Sequence, residues 1–125
     1  MTRIKYGNKK IVTADGEFDS RREYQRWCEL KLLERAGKIH DLHRQVRFEL
    51  IPAQSETYER YSQKTGNRLK DGQRCLEQAC YYVADFVYWE GEQMIVEDAK
   101  GVRTDAYIIK RKLMLERHGI RIREV

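Results

Sequence analysis

A chain of 125 residues, 41% hydrophobic and 36% charged, has room for one hydrophobic core, and the expectation is a single domain. It holds no uncharged apolar run of the roughly 18 residues a membrane span needs, and its three cysteines, Cys28, Cys75 and Cys80, are too few and too odd in number for a disulfide scaffold. Basic side chains outnumber acidic ones by 25 to 20, a net charge of +5 that favours a polyanionic partner.

The charge is uneven. Residues 1–50 carry twelve basic and eight acidic side chains, 51–100 carry six and nine, and 101–125 carry seven and three. A protein that only adhered to phosphates would gain from being basic throughout, because each neutralised phosphate releases counterions. Acids kept in the middle of the chain therefore ask for a chemical reason. The basic start, residues 1–6, is not followed by an apolar stretch, so the expectation is no secretory signal and a cytoplasmic protein.

In chain order, Tyr6-Gly7-Asn8 and Asp15-Gly16 are turn chemistry around the apolar pair Ile11-Val12, which reads as an arm with one short strand. Ser20-Arg21-Arg22-Glu23 fits a capping box, an apolar face follows through Tyr24, Trp27, Cys28 and 30–33, and Gly37 stands where a helix C-cap glycine belongs; the spacing predicts a helix over 20–36. Val46, Phe48 and Leu50 alternate with Gln45, Arg47 and Glu49 up to Pro52, predicting a strand over 44–51. Residues 53–74 are polar without a clear period and read as an insertion or mobile loop, its outer limits at 53–78. The aromatic and β-branched run 80–89, the turn Glu90-Gly91-Glu92 and Met94-Ile95-Val96 predict two strands in a hairpin. Residues 104–117 predict a helix stopped by Gly119, and Ile120 and Ile122 alternate with Arg121 and Arg123 in a last strand. Helix, three strands, helix, strand makes a single mixed α/β domain.

The chemistry concentrates in Tyr82-Val83-Ala84-Asp85-Phe86 and Val96-Glu97-Asp98-Ala99-Lys100-Gly101. With Gly91-Glu92 as the central pair of a type II′ turn, Asp85 faces Asp98 across the hairpin. Opposed like charges are destabilising, more so within apolar runs, and a divalent cation between them removes the conflict. Magnesium suits such a site, since it takes oxygen ligands and uses only one or two carboxylates. Lys100 projects from the same face as Asp98 and is placed to orient a nucleophilic water or stabilise developing charge. An ordinary ion pair of the same residues is the plain structural alternative. Glu97 points to the other face by alternation.

Glu23, Asp85 and Asp98-Ala99-Lys100 resemble the PD-(D/E)xK nuclease superfamily, with Val83-Ala84-Asp85 replacing the motif's Pro-Asp. The wider pattern runs through Lys5-Tyr6-Gly7-Asn8-Lys9, Phe18-Asp19-Ser20, Leu32-Leu33-Glu34-Arg35-Ala36-Gly37 and the two segments above. It is similar to a family of small phage and prophage proteins of formerly unknown function, grouped with phage endonuclease I-type Holliday-junction resolvases. The resemblance implies a restriction-endonuclease-like αβββαβ core with a mixed central sheet flanked by helices. It makes Asp85 and Asp98 metal ligands for Mg2+ or Mn2+, Lys100 the catalytic lysine and Glu23 the acid that completes the site. It also implies a bacterial host cytoplasm, branched DNA as the substrate and a homodimer. Glu23 has a second reading as a helix cap reaching back to the Ser20 amide.

Lys110, Arg111 and Lys112 are candidates for phosphate binding on a helix face, and Gln45 for an approach to the metal site or the nucleic acid. His40, His43, Cys75 and Cys80 are metal-capable types whose spacing misses the usual zinc pairs. Tyr81, Tyr82 and Tyr88 read as core rather than base-stacking platforms. The expectation is a metal-dependent endonuclease; the alternative is a catalytically degenerate nucleic-acid-binding module on the same fold.

Overall fold

A computed structural model describes residues 10–99 and 102–125. The arm is a hairpin rather than one strand: β1 (Ile11–Thr13) pairs antiparallel with β2 (Gly16–Phe18). Gly16 takes φ 117 at the turn, a region open to glycine. The second strand was hidden because its only apolar residue is Phe18, the one that is buried.

Helix α1 (Arg21–Arg35) starts as the sequence implies, with the Ser20 hydroxyl accepting the Glu23 N–H at 3.1 Å and Gly37 left-handed at φ 74 just past the C-cap. Strand β3 (His40–Ile51) begins four residues before the expected 44. Asp41, at φ 55, sits in an irregularity between the His40–Trp89 and His43–Val87 pairs, and this break hides the alternation of the strand's first third.

Residues 53–74, expected as an insertion or mobile loop, are an insertion with regular structure: β4 (Gln54–Tyr61) and β5 (Arg68–Glu77) form a two-stranded antiparallel ribbon. Nearly every residue of both strands is exposed. With no buried face there is no reason for apolar and polar residues to alternate, so the period-two signal is absent. Pairing is supported across the strands by Gln73 donating to Thr57 at 2.9 Å, by Arg74 with Glu56 at 3.1 Å, and by the Tyr58 ring lying over Gly72. A Cβ at position 72 would come within 2.5 Å of that ring, so the glycine is what admits it.

Strand β6 (Cys80–Glu90) and β7 (Gln93–Asp98) form the expected hairpin in the expected register, Phe86 opposite Glu97 and Glu90 opposite Gln93. Gly91 takes φ 60 while Glu92 stays outside the left-handed region, as a type II′ turn requires. Helix α2 (Asp105–His118) is capped by the Thr104 hydroxyl and ended by Gly119 at φ 66. The last strand, expected over 120–123, is only β8 (Arg123–Glu124). Ile120 and Ile122 pack on the core instead, and the segment stands off from β7 across a cleft lined also by Met94 and Ile95.

The four-stranded sheet has the order β3-β6-β7-β8, antiparallel except for the parallel β7–β8 pair. Leu30 of α1 packs with Ile39, Phe86, Tyr88 and Ile95 on one face; Tyr107 and Met114 of α2 pack with Leu50, Tyr82, Ala84 and Val96 on the other. Without the two accessory hairpins the order is αβββαβ, a mixed central sheet between two helices. Neither helix is long and apolar enough to cross a membrane.

Candidate functional site

The two core clusters expose a feature that alternation conceals. On β3, Arg44 lies over the rings of Phe18 and Trp27 on the α1 side, its guanidinium 3.6 and 5.5 Å from their centroids, whereas Val46, Phe48 and Leu50 pack on the α2 side. On β6, Phe86 and Tyr88 face α1 while Tyr82 and Ala84 face α2. In a regular strand these even-numbered residues would share one face. Both strands therefore turn over at one rung, between the Arg44–Phe86 and Val46–Ala84 pairs, and the residues on that rung are Gln45 and Asp85. Gln45 absorbs the change with φ 53, a left-handed conformation that costs a non-glycine residue about 1–2 kcal/mol.

Each side of this turnover presents an acid. On the α1 side Glu23 is 2% exposed. Its Oε1 accepts from Gln45 Nε2 at 3.0 Å, its Oε2 accepts from the Asp19 N–H at 3.2 Å, and Arg44 lies 3.8 Å away. The capping-box reading is thus half fulfilled: Ser20 caps the helix, but Glu23 reaches back to Asp19, not to Ser20. It also faces the sheet, on the stripe of Trp27 and Leu30.

On the α2 side Asp98, 1% exposed, accepts the Tyr82 hydroxyl at 2.5 Å. Burial, then the Asp98 carboxylate, push the Tyr82 hydroxyl far above its usual range, so it stays a donor. Between the two acids, Asp85 Oδ2 accepts the N–H of Ala99 at 2.8 Å. Asp85 thus reaches the backbone just past Asp98, at the end of β7 and one step beyond the Phe86–Glu97 pair, and the charges of Asp98 and Asp85 both help to raise the Tyr82 hydroxyl. Glu23 is tied to Gln45, which lies on the Asp85 rung. Lys100 lies outside the described residues.

Glu97 points to the α1 face, as alternation requires, and is fully buried. Arg26 of α1 grips it with two bonds, Nε at 2.8 Å and Nη2 at 2.7 Å, and the Tyr88 hydroxyl donates to it as well. Burial, followed by Glu97, pushes Tyr88 up to about 12. Sequence reading missed these partners, since an arginine 71 positions away leaves no local signal.

Of the basic cluster, Arg111 is tied to Glu124 at 2.8 Å, Lys110 is half-buried and Lys112 is exposed. Glu124 also takes Arg103 at 2.5 Å, and the Arg111 bond holds its carboxyl below the usual range. Tyr82 and Tyr88 are core residues, and half-buried Tyr81 carries Arg47 4.0 Å above its ring. His40 is engaged by Asp41 at 2.8 Å and the Gly91 carbonyl at 3.0 Å.

Among the described residues no three of His, Cys, Asp and Glu are grouped to hold a metal. Asp85 and Asp98 nonetheless fit magnesium by donor chemistry, because that ion is commonly held by one or two carboxylates with waters in its remaining positions.

Burial raises the Glu23 carboxyl above its ordinary value, opposed by the bonds from Asp19 and Gln45. A raised carboxyl favours the neutral form in the folded state. Its penalty is absent below the unfolded value near 4.5 and grows as pH rises through the folded one. Glu23→Gln should therefore gain on the wild type between pH 4 and pH 7 in metal-free thermal melts. A Tm difference independent of pH would mean that the Glu23 charge carries no penalty.

The family described as a protein of unknown function (DUF1064) matches residues 3–124 of the chain. No curated protein and no solved structure matches it.

Proposed function

The chain belongs to the DUF1064 family, and from its own residues we propose that it is a metal-dependent DNA endonuclease, hydrolysing phosphodiester bonds in branched or other non-B-form DNA. The observation that carries this reading is that Asp85, on the rung where the sheet turns over, accepts the N–H of Ala99, the residue after buried Asp98, at the end of β7. A fold that needed only stability gains nothing from placing two carboxylates from neighbouring strands together near an apolar core. The resemblance to PD-(D/E)xK nucleases supports the same reading.

In this proposal Asp85 and Asp98 hold Mg2+ or Mn2+, which when bound supplies a Lewis acid and a water of lowered pKa. Tyr82 fixes Asp98 by donating to one of its oxygens. Gln45 ties the Glu23 carboxylate to the Asp85 rung and sets the third acid's position. Lys100, two residues past Asp98, is assigned the water or the charge that develops at phosphorus. Lys110 and Lys112 serve phosphate contacts, and Arg111 contributes by holding Glu124 beside Tyr107. By analogy with Holliday-junction resolvases the protein acts as a homodimer in phage or prophage DNA recombination, inside the bacterial host.

One observation favours the alternative of a non-catalytic nucleic-acid-binding module: Glu23, Asp85 and Asp98 all have hydrogen-bond partners within the protein. Turnover separates the two readings. The protein is incubated with labelled duplex, single-stranded, flap and four-way-junction DNA and Mg2+ or Mn2+, with and without chelator. Metal-dependent cutting of the junction or flap is the expected result. Binding without cutting of any substrate would leave the non-catalytic module.

A further inference from the structure

The ribbon β4–β5 is unexplained by the site: among the described residues its substantial packing is strand against strand, and almost all of it is exposed. A solvated two-stranded ribbon is marginal on its own. What distinguishes this one is how its charge is divided. The stem, residues 54–59 and 71–77, holds four acids and one base; the distal part, residues 60–70, holds four bases and no acid.

Three of the four stem acids face a base: Glu56 pairs with Arg74 at 3.1 Å, and Arg68 meets Asp71 at 2.7 Å and Glu59 at 4.0 Å. Arg60, Lys64 and Lys70 have no ion pair among the described residues, so the distal part keeps three uncompensated cations. Around them stand hydrogen-bonding side chains, Ser62, Gln63, Thr65 and Asn67, and the 55% exposed ring of Tyr61. The turn itself is built, not loose: Gly66 N–H donates to the Ser62 carbonyl at 2.8 Å, Ser62 N–H to that of Asn67 at 2.8 Å, and the Ser62 hydroxyl accepts the Thr65 N–H at 3.2 Å.

The geometry points to the distal part of the ribbon, residues 60–70, as a second nucleic-acid contact that enters a groove of duplex DNA and neutralises its phosphates with Arg60, Lys64 and Lys70. A major groove about 12 Å wide admits a two-stranded β-ribbon. Ten residues of strand, rising about 3.3 Å each, carry the tip roughly 30 Å from the ribbon's base. With four acids to one base the stem keeps a net negative charge, which disfavours phosphate there and favours contact at the tip. The assignment rests on the proposed nuclease reading only for the identity of the polyanion.

The test is binding in chelator, where no cleavage can occur, of a labelled 30-base-pair duplex to the full chain over a range of salt. The triple change Arg60→Ala, Lys64→Ala and Lys70→Ala, all at exposed positions, should weaken binding about tenfold or more and lower the slope of log K against log salt by about 2.7, or 0.9 for each lost phosphate. The charge-keeping set Arg60→Lys, Lys64→Arg and Lys70→Arg should retain the slope. Wild-type affinity and slope in the alanine variant overturn the proposal, as does a change confined to oligomeric state or to binding of anionic phospholipid vesicles. A wild type that binds no duplex overturns it too. A protein that binds through the ribbon yet cuts nothing overturns the nuclease reading alone.

Discussion

Replacing Arg26 by alanine is expected to lower folding stability by about 3–5 kcal/mol, the scale for removing one partner of a buried ion pair. The reason lies in what is left behind. Glu97 is fully buried, and its two bonds from Arg26 are geometrically matched to a carboxylate. Without the guanidinium, a charge remains in the core with the Tyr88 hydroxyl as its chief donor. Arg26 also meets Glu29 at 2.9 Å, but Glu29 is exposed and that contact is worth at most about 1 kcal/mol. Urea denaturation of Arg26→Ala, Glu97→Gln and the double variant measures the coupling. The double variant should recover most of the loss, because neutralising the acid removes the unpaired charge. A loss below about 1 kcal/mol in Arg26→Ala would mean that Glu97 finds water or another donor.

That pair also places α1. Arg26 joins the helix to β7 from below while Leu30 and Trp27 pack on Phe86. The helix is thereby fixed in rotation, and Glu23, one turn earlier on the same stripe, is held against Gln45. Glu97 thus serves the site without belonging to the Asp85–Asp98 pair. Its neighbour Asp98 faces the opposite way, since successive residues of a strand do.

Much of this was readable in the chain because local rules govern it. Ser20, Gly37, Thr104 and Gly119 mark helix ends by capping chemistry that needs only neighbouring residues. Gly91-Glu92 fixes the β6–β7 register by turn geometry, and the register in turn carries Asp85 to the end of β7, one step past the Phe86–Glu97 pair. The turnover at Gln45 left no trace for an equally physical reason. Leu42, Val46, Phe48 and Leu50 continue one even-numbered apolar series, yet Leu42 packs toward α1 and the others toward α2. Both faces of the sheet are covered by a helix, so alternation does not say which face a residue meets. The ribbon β4–β5 hid itself in the opposite way, by having no covered face at all.

Asp98→Asn is expected to reduce cleavage by about a thousandfold or more while leaving the fold intact. Losing charge stabilisation at a reacting phosphate is worth about 3–4 kcal/mol or more, and each 1.4 kcal/mol is a factor of ten. Asparagine is the informative replacement, because its amide oxygen still accepts the Tyr82 hydroxyl that alanine would leave unpaired, at about 1–3 kcal/mol. With that bond retained, the remaining difference is the charge. In chelator the Asn variant should melt at or above the wild-type temperature, since removing one of two neighbouring carboxylates relieves repulsion. In magnesium the order should reverse: a ligand at 100 times its Kd stabilises the wild type by about 2.7 kcal/mol and the variant by much less. A wild type that gains nothing from Mg2+ or Mn2+, paired with an Asn variant that is less stable in chelator, would make Asp98 a structural acceptor for Tyr82 and nothing more.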